Sequence, residues 1–175
     1  AGASFEAWAY HPQLPELLDL ARAFPDTTIV LNHVGGPLGI GPYAGGRAAV
    51  IARWRDSISA LAQCPNVYVK LGGFGISLHG FSWEALEKPP SSEVVADATG
   101  AFIHHCIDCF GIERALFESN FPVDKVSYSY AILWNAFKRV AARYSATEQD
   151  ALFHDNAIRL YRLDERTHDP DENIW

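Results

Sequence analysis

Apolar residues follow two spacings along this chain, every second position over short runs and every third or fourth over longer ones, and the two alternate in order. Ser4-Phe5-Glu6-Ala7-Trp8-Ala9-Tyr10-His11 reads as a strand, after which Pro12 opens a helical pattern of Leu14, Leu17, Leu18, Ala21 and Phe24. Pro25-Asp26 ends that helix, and Thr27-Thr28-Ile29-Val30-Leu31 forms a second apolar run, closed by Asn32-His33-Val34-Gly35-Gly36-Pro37. Val50, Ile51, Trp54, Ile58 and Leu61 mark the next helix. In the third strand Val67, Val69 and Leu71 share one face, while Tyr68, Lys70 and Gly72 share the other. Val94, Val95, Ala98, Phe102, Ile103, Cys106 and Phe110 line a helix over residues 92–110. A fourth strand over residues 114–121 places Leu116, Glu118 and Asn120 on one face. Ile132, Leu133, Phe137 and Val140 mark a further helix, and Ser145-Ala146-Thr147-Glu148 has capping-box spacing for a last one.

Strands that alternate with helices predict an α/β fold with a parallel sheet, either doubly wound or a barrel. In both, reactive groups gather at the carboxyl ends of the strands. His33 stands at such an end. It either meets a ligand there or is tied to a neighbouring carbonyl. Residues 35–47 form a loop with six glycines whose spacing fits neither a P-loop nor a dinucleotide fingerprint. Arg47 closes it, as a carboxylate-binding group or as the solvated start of a helix. The aromatic stretch 74–92 reads as a packed lid, with His79 exposed on it. Lys70 is either a barrel-interior cation in need of a carboxylate or a charge on an edge strand. His104, His105, Cys106 and Cys109 resemble a zinc cluster, but consecutive helical histidines point apart and no second ligand pair follows. We read the cysteines as small buried hydrophobes.

Composition narrows the classes without choosing among enzymes. A chain that is 49% hydrophobic folds rather than remaining disordered. A net charge of −7 removes any general attraction to nucleic acid or anionic lipid, and no apolar run is long enough to span a membrane. Three cysteines argue against a disulfide framework and suit a cytoplasmic location. The expected partner is a small-molecule substrate, and oligomeric state is not legible.

Four motifs together resemble the amidohydrolase-related family over about residues 4–163: Tyr10-His11-Pro12-Gln13-Leu14-Pro15-Glu16-Leu17, Val30-Leu31-Asn32-His33-Val34-Gly35, Val67-Tyr68-Val69-Lys70-Leu71 and Phe117-Glu118-Ser119-Asn120-Phe121-Pro122. The resemblance implies a (β/α)8 TIM barrel of which these strands are the second half, strands five to eight. A whole barrel takes roughly 250 residues. The 175 residues, with no methionine, therefore read as a fragment that is inactive alone: a partial barrel over residues 1–163 and a polar, mobile tail over 164–175.

By the same resemblance, His33 falls on the strand-six metal or substrate position and His11 near the strand-five metal position. The implied cofactor is a divalent metal, zinc or manganese, with a metal-independent scheme as the alternative. Asn120 stands where the family has an aspartate, and an amide cannot take a proton from water as a carboxylate does. Asn120 then orients water or substrate, and Glu118 or Asp124 supplies the carboxylate. Glu118 ranks first because it shares a strand face with Asn120, although it can instead pair with Lys70. His33, Glu118 and Asn120 are thus the expected catalytic group, and Arg47 and Lys70 the expected substrate-binding group. The implied activity is water addition to an amide or lactone of a small, carboxylated molecule. A decarboxylase or a non-catalytic binding barrel are the rivals.

Overall fold

In the computed structural model, which describes residues 3–163, the predicted alternation becomes four parallel strands: β1 (Ser4–Ala7), β2 (Thr28–Leu31), β3 (Val67–Leu71) and β4 (Ala115–Phe117). Their order in the sheet is their order in the chain. A doubly wound sheet requires that order to reverse, so the described strands are wound in one direction, as half of a (β/α)8 barrel is. Helices α1 (Leu14–Ala23), α2 (Arg47–Ala62) and α3 (Ser92–Phe110) connect them, and α4 (Tyr130–Ala141), α5 (Ala146–Asp150) and α6 (Asn156–Tyr161) follow β4. The tail expected at 164–175 lies outside the described residues.

Register aligns Ala7 with Leu31, Leu31 with Val69 and Val69 with Ala115, and these residues are buried against the helices. Glu6, Val30, Tyr68, Lys70 and Leu116 therefore occupy the opposite face. The predicted third helix begins with the Ser91 side chain accepting from Val94 N–H, and the Ser145–Glu148 capping box is formed.

Two strands are shorter than the sequence suggests. β1 stops at Ala7, opposite the last residue of β2, and His11 instead opens a 3-10 turn over His11–Gln13. β4 stops at Phe117, opposite Leu71, because β3 itself ends there and Glu118 N–H makes the last bond of the ladder, to Leu71 O. Asn120 then takes a left-handed φ of 51°. The alternation breaks before it, and the expected shared face of Glu118 and Asn120 does not form.

Candidate active site at the carboxyl ends of the strands

At the exit of β2 the chain turns through His33 (φ 54°) and Val34 (φ 49°), both left-handed. Such a conformation costs an L-residue about 1–2 kcal/mol, so outside contacts must hold it. Trp54 Nε1–H donates to Val34 O at 2.7 Å, and His33 N–H donates to Glu118 Oε1 at 2.8 Å. The turn lays the imidazole beside the same carboxylate, with Nδ1 2.5 Å from Oε1. A carboxylate only accepts, so Nδ1 carries a proton, and whenever the ring is neutral Nε2 is its acceptor nitrogen. The exposed Trp8 indole meets this ring edge-on, with centroids 5.6 Å apart.

Backbone without side chains makes room for these groups. A Cβ on Gly72 would lie 2.2 Å from Glu118 O, one on Gly73 2.5 Å from His33 Cγ, and one on Gly75 2.7 Å from Asp124 Cβ. Real Cβ contacts are longer, so the segment Gly72-Gly73-Phe74-Gly75 is a shelf on which three site residues rest. Asp124 is fully buried, and it accepts from Asn120 Nδ2, Gly75 N–H and Tyr128 OH. Burial pushes its carboxyl above the usual range, against the pull of those three donors.

The loops after β2 and β3 are joined to each other. Gly39 N–H donates to Leu78 O at 2.8 Å, Arg47 Nη1 donates to His79 O at 2.8 Å, and His79 Nδ1 lies 3.1 Å from Pro37 O. His79, expected to be exposed, is 2% accessible. Burial lowers its pKa to about 4, and the nearby His33 and Arg47 act in the same direction. Phe74 and Trp83 of the second loop are buried, so the loop is packed, as its aromatic content predicts.

Not every candidate reaches the site. Arg47 opens α2 but is half-buried rather than solvated: besides the bond from Nη1 to His79 O, its guanidinium lies over the Phe81 ring at 4.9 Å. Lys70 does not pair with Glu118. It bonds Glu6 Oε2 at 2.8 Å and lies over the Tyr161 ring, and β3 is an interior strand, which removes the edge reading. Burial works to lower the Lys70 pKa, but bonding to Glu6 and Tyr161 outweighs it and the net shift is upward. His11 is buried, accepts from Leu38 N–H through Nδ1, and packs against Tyr43. None of these partners is shared with His33. Burial and the charge of Arg53 lower its pKa.

His104 and His105 point apart, to Tyr144 OH and Arg55 O, and Cys106 is buried, in line with their structural reading. Among the described residues no group of three or more histidine, cysteine, aspartate or glutamate side chains is placed to hold a metal ion. The His33–Glu118 arrangement would suit one metal ligand through Nε2. The described residues do not by themselves complete a metal site. None of the described helices is long and apolar enough to cross a membrane.

Sequence reasoning missed the buried His79 and the shelf. The three glycines in Gly72-Gly73-Phe74-Gly75 were the available signal for the shelf, since glycine in such density marks close approach of other groups.

Comparison with known proteins agrees with the fold. The model of a family described as amidohydrolase matches residues 1–163. The uncharacterized protein y4mH of Sinorhizobium fredii is 38% identical over 162 residues, which cover 93% of this chain and 48% of that protein. An L-fucono-1,5-lactonase of Burkholderia ambifaria is 28% identical over 165 residues, covering 92% of this chain and 50% of the lactonase. The crystal structure of an amidohydrolase from Burkholderia multivorans with bound zinc superposes with a TM-score of 0.77 at 26% identity, covering 91% of this chain and 52% of that one. The chain spans about half the length of the relatives it matches. With the family model matching residues 1–163 and its parallel strands unreversed, the chain belongs to the amidohydrolase family.

Proposed function

We propose that this chain supplies the proton-transfer side of an active site that hydrolyses small lactones. The observation that carries the reading is the His33–Glu118 pair, whose bare Nε2 stands at the strand ends beside an exposed tryptophan. Water attacks the lactone carbonyl while Nε2 takes its proton, and the Glu118 carboxylate stabilises the resulting imidazolium. As the acyl C–O bond of the ring breaks, the imidazolium returns the proton to the departing oxygen. The product is a hydroxy acid, and the histidine is neutral again. Asn120 orients the water or a substrate oxygen.

The L-fucono-1,5-lactonase relatives support a lactone over an amide. Arg47 and Lys70 are both engaged within the protein, so recognition is assigned instead to Trp8. Its indole offers an apolar face and a polar edge to a small hydroxylated ring. Zinc is bound in the Burkholderia multivorans relative, and His33 Nε2 would be one ligand to such an ion here.

The test is steady-state hydrolysis of L-fucono-1,5-lactone and simple δ-lactones by the full-length protein, with His33→Ala and Glu118→Gln beside it. Loss of general-base catalysis lowers kcat by about 10²–10⁴ in His33→Ala. Wild-type kcat/KM in His33→Ala, or no hydrolysis of any lactone by the wild type, would overturn the reading.

A further inference from the structure

The two oxygens of the buried Asp124 carboxylate are engaged differently. Oδ2 accepts twice, from Gly75 N–H at 2.9 Å and from Tyr128 OH at 3.0 Å. Oδ1 accepts from Asn120 Nδ2 at 2.7 Å. The N–H2 edge of the Asn120 amide is the one that faces this carboxylate, which in its ionised form can only accept. Turned the other way, the amide oxygen would stand against a carboxylate oxygen. Asn120 Oδ1 is thereby directed away from Asp124, and no protein donor reaches it among the described residues.

We propose that Asp124 is a positioning residue that sets the polarity of Asn120, so that position 120 turns its amide oxygen, as an acceptor, toward a hydroxyl group of the substrate or the attacking water. What Asn120 touches rests on the hydrolytic reading above. Which way its amide faces does not. The charge stays behind the amide, shielded from the site, and only its orienting effect is passed forward.

Asp124→Asn tests this with almost no change of shape. The two donors at the Oδ2 position require an acceptor there, and the new amide has only one oxygen to give. Its N–H2 group then takes the place of Oδ1 and confronts that of Asn120, which must rotate and turn its own N–H2 group outward. The reciprocal pair Asn120→Asp with Asp124→Asn restores the bond with donor and acceptor exchanged, and returns an outward oxygen.

In the lactone assay Asp124→Asn is expected to lose about 10- to 100-fold in kcat/KM, the scale of one hydrogen bond to a charged group. The double variant is expected to regain most of that loss, which a general loss of packing would not predict. Side-chain amide exchange by NMR reads the orientation directly: the Asn120 Nδ2 proton bonded to Asp124 is slowed in the wild type and exchanges freely in Asp124→Asn. Unprotected Asn120 protons in the wild type would overturn the proposal without any variant. So would full activity in Asp124→Asn, or a double variant no better than that single one. Protected protons in a wild type that hydrolyses no lactone would leave the orientation standing and remove the hydrolytic reading.

Discussion

Gly73→Ala is expected to destabilise the protein by about 3 kcal/mol, and the figure follows from two separable effects. The first is backbone strain, since φ at this position is 72° and an L-side chain there costs about 1 kcal/mol. The second is steric. The added methyl would stand 2.5 Å from both Cγ and Nδ1 of His33, so the imidazole must leave its place. Leaving breaks the bond from Nδ1 to the Glu118 carboxylate, worth about 1.5–3 kcal/mol for a bond to a charged group. Gly41→Ala is the matched control, because Gly41 has φ 57° but nothing within 4 Å of an added methyl. It carries the strain alone, about 1 kcal/mol. Urea unfolding of the two variants at a common m-value measures the difference, and loss of the His33 Nδ1–H resonance in Gly73→Ala identifies its source. If the two variants differ by less than about 0.5 kcal/mol, the usual error of such comparisons, the shelf does not hold His33.

Three further outcomes are expected. His79 has a folded pKa of about 4 against 6.5 when free, so the unfolded chain binds its proton first and stability falls as pH drops from 6.5 to about 4. The gap is worth at most about 3 kcal/mol, and His79→Gln should flatten unfolding free energy over that interval; an unchanged slope would refute the assignment. Lys70→Met and Glu6→Gln, combined in a double-mutant cycle, should return a coupling of about 1 kcal/mol or less, because both side chains are partly solvent-exposed. Lys70→Met should leave KM for the lactone unchanged, and a large rise in KM would return Lys70 to substrate binding.

The parallel α/β order and the helix starts were legible because each depends on residues close in sequence. Leu14, Leu17 and Ala21 are buried as their spacing requires, and Ser145 caps with Glu148 three residues away. The partners of His33 and Lys70 were not legible. Glu118 lies 85 positions from His33 and Glu6 lies 64 from Lys70, and only sheet register decides which side chains meet at those separations. Strand ends failed for a related reason. β4 stops where β3 turns away at Gly72, which nothing within residues 114–121 announces. Asp124 was named as a candidate carboxylate, but its burial behind Asn120 depends on Gly75, which arrives from 49 positions away, as well as on the local Tyr128.

The joined loops after β2 and β3 have a consequence for how specificity changes over descent. Gly39 packs so closely on His79 and Gly80 that a Cβ there would lie 2.3 Å from His79 O, and the Arg47 guanidinium fastens the same carbonyl from the other side. An insertion or deletion in one loop therefore displaces the other as well. Changes in residues 35–47 are therefore expected to be coupled to changes in residues 74–91. Epistasis between those two segments is written into the fold before any substrate arrives.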